Sequence, residues 1–346
     1  MGTDTGVVGI DFFCGAGGLT HGLLKAGINV LKGIDIDSTV KDTYLKNNHG
    51  ATFLNKDIRQ LSSHEVIEGI NIGQKKLLLA GCAPCQPFSS QNRSEKRGTD
   101  QRRSLIMEFA RFIKELEPEY ILVENVPGFS KDKNYKSFME ILKKLEYKFD
   151  EGVLNAADYG VPQKRLRYVI LASKTHHIRL PDAEYGQNRI KYRTVGDIIR
   201  KFPKLEAGET SSRVQNHIAR KLSSINLKRI KSIPKNGGSR DSLPDSLKLD
   251  CHTKHNGHSD VYGRMSWDKP APTLTCRCTC LTNGRFGHPE QDRAISPREA
   301  AALQTFPDNY IFYGNVTDTT KHIGNSVPVL FAERLGSRII ETEHGR

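Results

Sequence analysis

The chain opens on an apolar run, Val7-Val8-Gly9-Ile10-Asp11-Phe12-Phe13, too short for a helix and rich enough in β-branched and aromatic residues to predict a buried strand. A glycine-rich turn, Cys14-Gly15-Ala16-Gly17-Gly18, follows it, and a helix is predicted from about Leu19. The pattern then repeats. A second strand over 30–34 ends at Asp35-Ile36-Asp37, a third over 52–54 ends at Lys56-Asp57-Ile58, and Leu77-Leu78-Leu79-Ala80 reads as a fourth. A helix over 104–116 leads into a fifth, Tyr120-Ile121-Leu122-Val123, which runs straight into Glu124-Asn125-Val126-Pro127-Gly128. Strands alternating with helices predict an α/β fold with a twisted, doubly wound, mostly parallel sheet and helices on both faces.

Past these units the period changes. Gln163-Lys164-Arg165-Leu166-Arg167-Tyr168-Val169-Ile170 enters a strand in which Arg165 and Arg167, two positions apart, share a face. From about Leu180 apolar runs thin out, Lys, Arg, Asn and Ser increase, and breakers stand at Pro203, Pro234, Gly237-Gly238 and Pro244, which predicts a boundary to a second, smaller, irregular domain. Within it, 213–230 has helical spacing with Arg213, Arg220, Lys221, Lys228 and Arg229 left for solvent or phosphate, while 273–282 alternates like a strand. Ser296-Pro297 reads as a cap and first helical position, and Ile323-Gly324-Asn325-Ser326-Val327-Pro328-Val329 is predicted to open a terminal helix to about Glu341.

Charge adds a partner to this outline. Lys and Arg number 52 against 39 Asp and Glu, a net charge of +13, which suggests a polyanion and says nothing of fold. Seven cysteines without a regular framework point to a reducing compartment. Met1-Gly2-Thr3-Asp4 has no signal character and no apolar run approaches ~20 residues, so a cytoplasmic protein without a membrane span is expected. Cys251-His252-x-x-His255-x-x-His258 and Cys276-x-Cys278-x-Cys280 lack the paired Cys-x-x-Cys spacing of structural zinc sites, and no metal is expected.

The candidate chemistry sits at strand ends, where open α/β sheets bind their ligands. Cys85 lies just past the fourth strand on the proline-stiffened loop Gly81-Cys82-Ala83-Pro84-Cys85-Gln86-Pro87, a place that suits a nucleophile needing nearby cations, or a buried structural thiol. Glu124 stands at the end of the fifth strand. Asp35 is placed to accept from a ribose diol and Asp57 from an adenine amino group, although either also suits a helix cap. Gly-Ala-Gly-Gly departs from the dinucleotide fingerprint, which disfavours a nicotinamide dehydrogenase. The polar run over 89–103, with Arg93, Lys96, Arg97, Arg102 and Arg103, reads as a long loop suited to phosphates.

Pro84-Cys85-Gln86 and Glu124-Asn125-Val126 resemble the two catalytic motifs of the cytosine carbon-5 DNA methyltransferases. Phe13-Cys14-Gly15-Ala16-Gly17-Gly18, the Gln163-x-Arg165-x-Arg167 string, the Ser296 to Gln304 helix start and Gly324-Asn325-Ser326-Val327-Pro328 resemble further family motifs in the family's order, over nearly the whole chain. The resemblance implies a Rossmann-like methyltransferase sheet that binds S-adenosyl-L-methionine. Phe13 would pack on the adenine, Asp11 with Gly15, Gly17 and Gly18 would hold the methionine part, and Asp35 with Ile36 would bind the ribose. Asp57 and Ile58 would border the adenine, and Pro84, Asn325 and Ser326 would complete the cofactor site. Cys85 would add to carbon 6 of a cytosine flipped out of double-stranded DNA, Glu124 would hydrogen-bond its ring nitrogen 3 and amine, Arg165 would contact the base and its phosphate, and Arg167 would organise the pocket. Ser89, Arg93, Arg102 and Gln163 would contact DNA. Residues 1–180 with 320–346 would form the catalytic domain and 181–319 the target-recognition domain. A monomer of the bacterial modification type, serving alongside a restriction endonuclease without a stable complex, is the expected setting. An RNA-methylating relative would show Cys-Phe-Thr near Cys280-Leu281-Thr282, and a non-catalytic DNA-binding scaffold would have lost Cys85.

Overall fold

The computed structural model describes residues 5–84, 104–249 and 260–345. Two compact units emerge, one over Met1–Ala156, Leu166–Ala183 and Val329–Arg346, the other over Ala157–Arg165 and Glu184–Pro328.

The first unit is built on a seven-stranded sheet in the order β3-β2-β1-β4-β5-β7-β6. The strands are β1 Val7–Phe12, β2 Asn29–Asp35, β3 Thr52–Asn55, β4 Lys76–Gly81, β5 Tyr120–Asn125, β6 Lys148–Asn155 and β7 Leu166–Ser173. Strands β1 to β5 pair in parallel, and β7 runs antiparallel to both β5 and β6. Chain order reverses between β1 and β4, the position at which doubly wound sheets open a crevice beyond their carboxyl ends.

All six residues of β1 are buried, because both faces of this central strand are covered. Val8, Ile10 and Phe12 join a core with Phe109, Phe112 and Ile113 of α4 (Leu105–Leu116) and Phe138 and Leu142 of α5 (Lys133–Lys144). Phe12 lies 5.3 Å from the Phe109 ring centroid and 5.1 Å from that of Phe112. Asp11, on the opposite face, accepts a hydrogen bond from Thr20 of α1 (Gly18–Lys25). Helix α1 also meets the terminal helix Val329–Glu343 closely, since a Cβ on Gly22 would stand 2.4 Å from both Ala332 Cβ and the Val329 carbonyl. Short helices α2 (Lys41–Asn47) and α3 (Ser63–Ile67) link the early strands.

The second unit has little regular structure, with α6 Val195–Ile199, α7 Ser224–Ser232, α8 Pro297–Leu303 and α9 Val316–Asn325; the terminal helix is α10. One of its apolar clusters is built on Ile230, Ile233, Leu243, Tyr262, Leu281 and Ala294, and the buried rings of Phe306, Tyr310 and Phe312 pack together elsewhere in it. Buried arginines hold its loops. Arg264 donates to the carbonyls of Ile230, Ile233 and His288, and Arg298 to those of Asp308 and Tyr310. A guanidinium suits this work because its fixed fork of donors satisfies several loop carbonyls that no ladder reaches.

Several expectations change here. The helix expected over 213–230 exists only as α7, because Asn216 turns the backbone left-handed at φ 60° and Ser223 caps a new start by accepting from the Asn226 N–H. The strand expected over 273–282 is a series of turns, with Cys278 N bonded to Thr275 O and Cys280 N to Arg277 O, each at 3.0 Å. Cys276 is therefore exposed and Cys278 buried rather than sharing a face. The terminal helix is interrupted: α9 ends at Asn325, Ser326 is extended at ψ 149°, and α10 starts after Pro328, which offers no N–H to continue the ladder. The unit boundaries fall at Ala183 and Val329, where 180 and 320 were expected, and Ala157–Arg165 joins the second unit. That last segment pairs with Ala271, whose N–H goes to Pro162 O while its carbonyl accepts from Lys164 N, each at 2.9 Å. Among the described residues no helix is long and apolar enough to cross a membrane.

Candidate active site

In the first unit the carboxyl ends of the parallel strands carry the expected residues. At the end of β1, Asp11 is fully buried. Its Oδ2 accepts from Thr20 Oγ1 at 2.6 Å, and its Oδ1 is buried with no hydrogen-bond partner. Burial pushes this carboxyl up to about 7, against the pull of the Thr20 hydrogen bond and with some help from the charge of Asp35. Phe13, at φ 59°, begins a left-handed turn that Gly15 and Gly17 continue at φ 50° and 88°. Such a turn exposes successive N–H groups, and one of them, on Gly15, donates to Asp35 Oδ2 at 2.8 Å. Asp35 Oδ1 accepts from Asp37 N, also at 2.8 Å, so the acid at the end of β2 clamps the glycine turn that leads into Gly18 and α1. Ile36 beside it is 65% exposed, an unusual state for an isoleucine at a strand end.

At the end of β3, Asp57 caps the short turn Ile58–Gln60 by accepting from Arg59 N at 3.0 Å, and it also pairs with the Arg59 side chain. The Arg59 hydrogen bond holds its carboxyl below the usual range, against the effect of burial. Ile58 is buried in the core under the sheet.

Beyond β4, Cys82 N donates to Phe12 O at 3.4 Å, and Asn125 Nδ2 fixes the Ala83 carbonyl at 3.1 Å. Pro84 is half-buried. Cys85, Ser89, Arg93 and Arg102 lie outside the described residues, as do Cys251, His252, His255 and His258.

At the end of β5, Glu124 is buried, and its Oε1 lies 2.7 Å from Arg167 Nε. This contact is an ion pair off the hydrogen-bonding direction, since Oε1 has no hydrogen-bond partner. It exists because β7 runs antiparallel to β5 with Glu124 opposite Val169, which brings the residue two before Val169 alongside the carboxyl. Arg167 also donates to its neighbour's carbonyl, Leu166 O, at 2.7 Å. Cys82, at the position after the Gly81–Val123 pair and so across from Glu124, completes the surroundings: burial, followed by the charges of Glu124 and Asp11, pushes its thiol well above the usual range. Sequence reasoning passed over Cys82, although its place directly after β4 was a usable signal.

The second unit holds the remaining expected residues in a polar bracket of its own. Gln163, expected at the DNA, is fully buried: its Nε2 donates to Gln304 Oε1 at 2.8 Å and its Oε1 accepts from Leu274 N at 2.8 Å. Arg165 is equally shielded, and precedes β7 rather than lying in it. It donates to the carbonyls of Leu274 at 2.9 Å, Gly324 at 3.2 Å and Ser326 at 3.1 Å. Gln304 donates to Ile323 O and Ser326 O, a role no spacing in the sequence marks. Asn325 is exposed at the end of α9, and Ser326 Oγ turns back to His322 O at 2.7 Å.

Residues 7–341 match the protein family described as C-5 cytosine-specific DNA methylase. The chain belongs to this family. The methylase is 42% identical over 351 residues to the Type II methylase M.HgiDII of Herpetosiphon aurantiacus, covering 97% of each chain. It is 35% identical to the Type II methyltransferase M1.HphI of Haemophilus parahaemolyticus, over 96% of this chain and 86% of that one. Among solved structures, a putative DNA modification methyltransferase encoded within an E. coli prophage matches with a TM-score of 0.75 at 24% identity, over 97% of this chain and 99% of that one. An S. pombe Dnmt2 methyltransferase matches at 0.66 and 20%, over 97% and 98%. These two likenesses carry the fold. The methylase is thus an enzyme, a DNA (cytosine-5-)-methyltransferase, of the family whose members use S-adenosylmethionine to methylate cytosine. Among its described residues no group of three or more His, Cys, Asp or Glu side chains gathers as a metal site.

Proposed function

We propose that this methylase moves a methyl group from S-adenosyl-L-methionine to carbon 5 of a cytosine flipped out of a specific double-stranded DNA site, through a covalent Cys85 adduct at carbon 6. The observation that carries the reading is the buried Glu124 carboxyl, paired with Arg167 at the sheet end one strand away from Cys82-Ala83-Pro84, the residues that directly precede Cys85 in the sequence.

The residues around β1 and β2 fit the cofactor. The unpartnered, buried Oδ1 of Asp11 is an acceptor suited to a cationic or N–H group, the left-handed turn from Phe13 to Gly18 lets a ligand approach the backbone, and exposed Ile36 offers an apolar face next to Asp35. Phe13, Gly15, Gly17, Gly18, Asp35 and Ile36 would hold it. Asp57 and Ile58 would border its adenine side, with Pro84, Asn325 and Ser326 completing the site. When bound, its sulfonium supplies the methyl group that carbon 5 takes.

The chain's own residues do the rest. Cys85, as thiolate, forms a bond to carbon 6 and pushes a pair of electrons into the ring, which makes carbon 5 nucleophilic. Glu124 hydrogen-bonds ring nitrogen 3 and the exocyclic amine, relieving the charge that builds there. After carbon 5 is methylated a base takes its proton, the electron pair reforms the ring double bond, and the thiolate leaves. Arg167 holds Glu124, and Arg165 orders the loops that approach the base. Flipping costs a few kcal/mol of stacking and pairing, which phosphate contacts from Ser89, Arg93 and Arg102 offset. The second unit would choose the target sequence. A monomer in a bacterial cytoplasm, methylating the sites of a restriction endonuclease it does not stably bind, is the proposed setting, supported by the Type II names of its relatives.

Bisulfite sequencing of plasmid DNA treated with the protein and cofactor tests this directly. Protected cytosines at one recurring site are expected, together with a cofactor-dependent covalent adduct on a 5-fluorocytosine duplex. Cys85→Ala should abolish both while DNA and cofactor still bind, and turnover by that variant would remove Cys85 from the reaction.

A further inference from the structure

No step above uses the thiol of Cys82. Gly81, the last residue of β4, is in register with Val123 of β5, so Cys82 and Glu124 are the next positions across the two strand ends. The Cys82 N–H reaches back to Phe12 O at 3.4 Å and ties the same residue to β1. The carboxyls to either side, Asp11 on β1 and Glu124 on β5, each keep one buried oxygen without a hydrogen-bond partner. Glu124 is thereby flanked from two strands, by the Cys82 thiol from β4 and by Arg167 Nε from β7 at 2.7 Å, while Asp11 faces the thiol from β1. Burial, and after it the charges of Glu124 and Asp11, keeps this thiol protonated, so it acts as a donor and leaves nucleophilic attack to another sulfur.

We propose that Cys82 is a positioning residue for methyl transfer: its S–H, opposite the Arg167 guanidinium, fixes the rotamer of the Glu124 carboxyl. The carboxyl then meets the edge of the base in one orientation. A lone Arg167 contact off the hydrogen-bonding direction leaves rotation about the last side-chain bond open, and a second donor closes it. The inference rests on the role given to Glu124 under the proposed function.

Steady-state kinetics on wild type, Cys82→Ala, Cys82→Ser and Glu124→Gln test it. For Cys82→Ala, kcat should fall by roughly tenfold with KM for DNA nearly unchanged, since only the orientation of a reacting group is lost. Cys82→Ser keeps an O–H donor and should restore the rate. Wild-type kcat in Cys82→Ala would overturn the proposal, and so would equal losses in the Ala and Ser variants, which mark a packing role alone. If Cys82→Ala fails to fold, Cys82→Val, which fills the space without a donor, takes its place under the same criteria. Glu124→Gln separates the two layers: if it turns over normally the reading of Glu124 fails, whereas if it is inactive and the Cys82 variants are unchanged, only the role of Cys82 does.

Discussion

A carboxyl group taken out of water at Asp11 makes the apo protein sensitive to pH in a direction that can be worked out. In the unfolded chain it ionises near the ordinary 3.8, and in the fold near 7. Between those values the folded state keeps a proton that the unfolded state has released, so this group's contribution to stability falls as pH rises from about 4 to about 7 and then levels off. Asp11→Asn removes that decline. Urea unfolding at pH 4, 6 and 8 should show the variant gaining on wild type by up to the order of 4 kcal/mol. A gap that stays constant with pH would mean that Asp11 is not held protonated. At the same scale, Asp35 both clamps Gly15 N and faces the proposed ribose position. Asp35→Ala should weaken cofactor binding at least about tenfold while changing DNA affinity little, because removing an acceptor to an N–H and to a ligand costs more than a kcal/mol. Equilibrium dialysis with each ligand measures the difference.

Elements are held by contacts that tolerate no extra atoms. Helix α1 reaches α10 across Gly22, where even a methyl group would strike the Val329 carbonyl and Ala332 Cβ at 2.4 Å. Neither neighbour can rotate away, because one is backbone and the other a bare Cβ. Gly22→Val should cost about 3 kcal/mol or more, read as a lower urea midpoint, with α10 as the element that loosens. Unchanged stability would mean that the two helices separate freely. Helix α8 starts differently, with Ser296 Oγ accepting from Glu299 N at 3.1 Å while Glu299 Oε2 accepts from Ser296 N at 2.7 Å. The same Glu299 takes both guanidinium arms of Arg293 at 2.7 and 2.8 Å, so a local cap doubles as the anchor of a buried ion pair. The cap is legible as Ser296-Pro297 followed by Glu299, whereas the distant arginine is not.

For the whole molecule, a charge of +13 sets the strength of attraction to DNA and its dependence on salt. The dissociation constant for a specific duplex should rise by at least about a hundredfold between 50 and 200 mM salt, the response of a protein that neutralises several phosphates. Filter binding across that range measures it, and a flat response would contradict the electrostatic reading. The fold at this scale rests on unlike economies in its two units. The first buries apolar strand faces under helices, and the second also satisfies loop carbonyls with the buried Arg264, Arg293 and Arg298.

The sequence by itself determined the alternation of strands and helices, the acids at the strand ends and the glycine turn, because these follow from residues near one another in the chain. It carried the family motifs for the same reason. Only tertiary structure decided that Gln163 and Arg165 spend their donors on Gln304, Leu274, Gly324 and Ser326. It also put Arg167 and Cys82 on Glu124. Each of these joins residues on different strands or distant loops, and which groups meet there depends on register and burial, which no local period records.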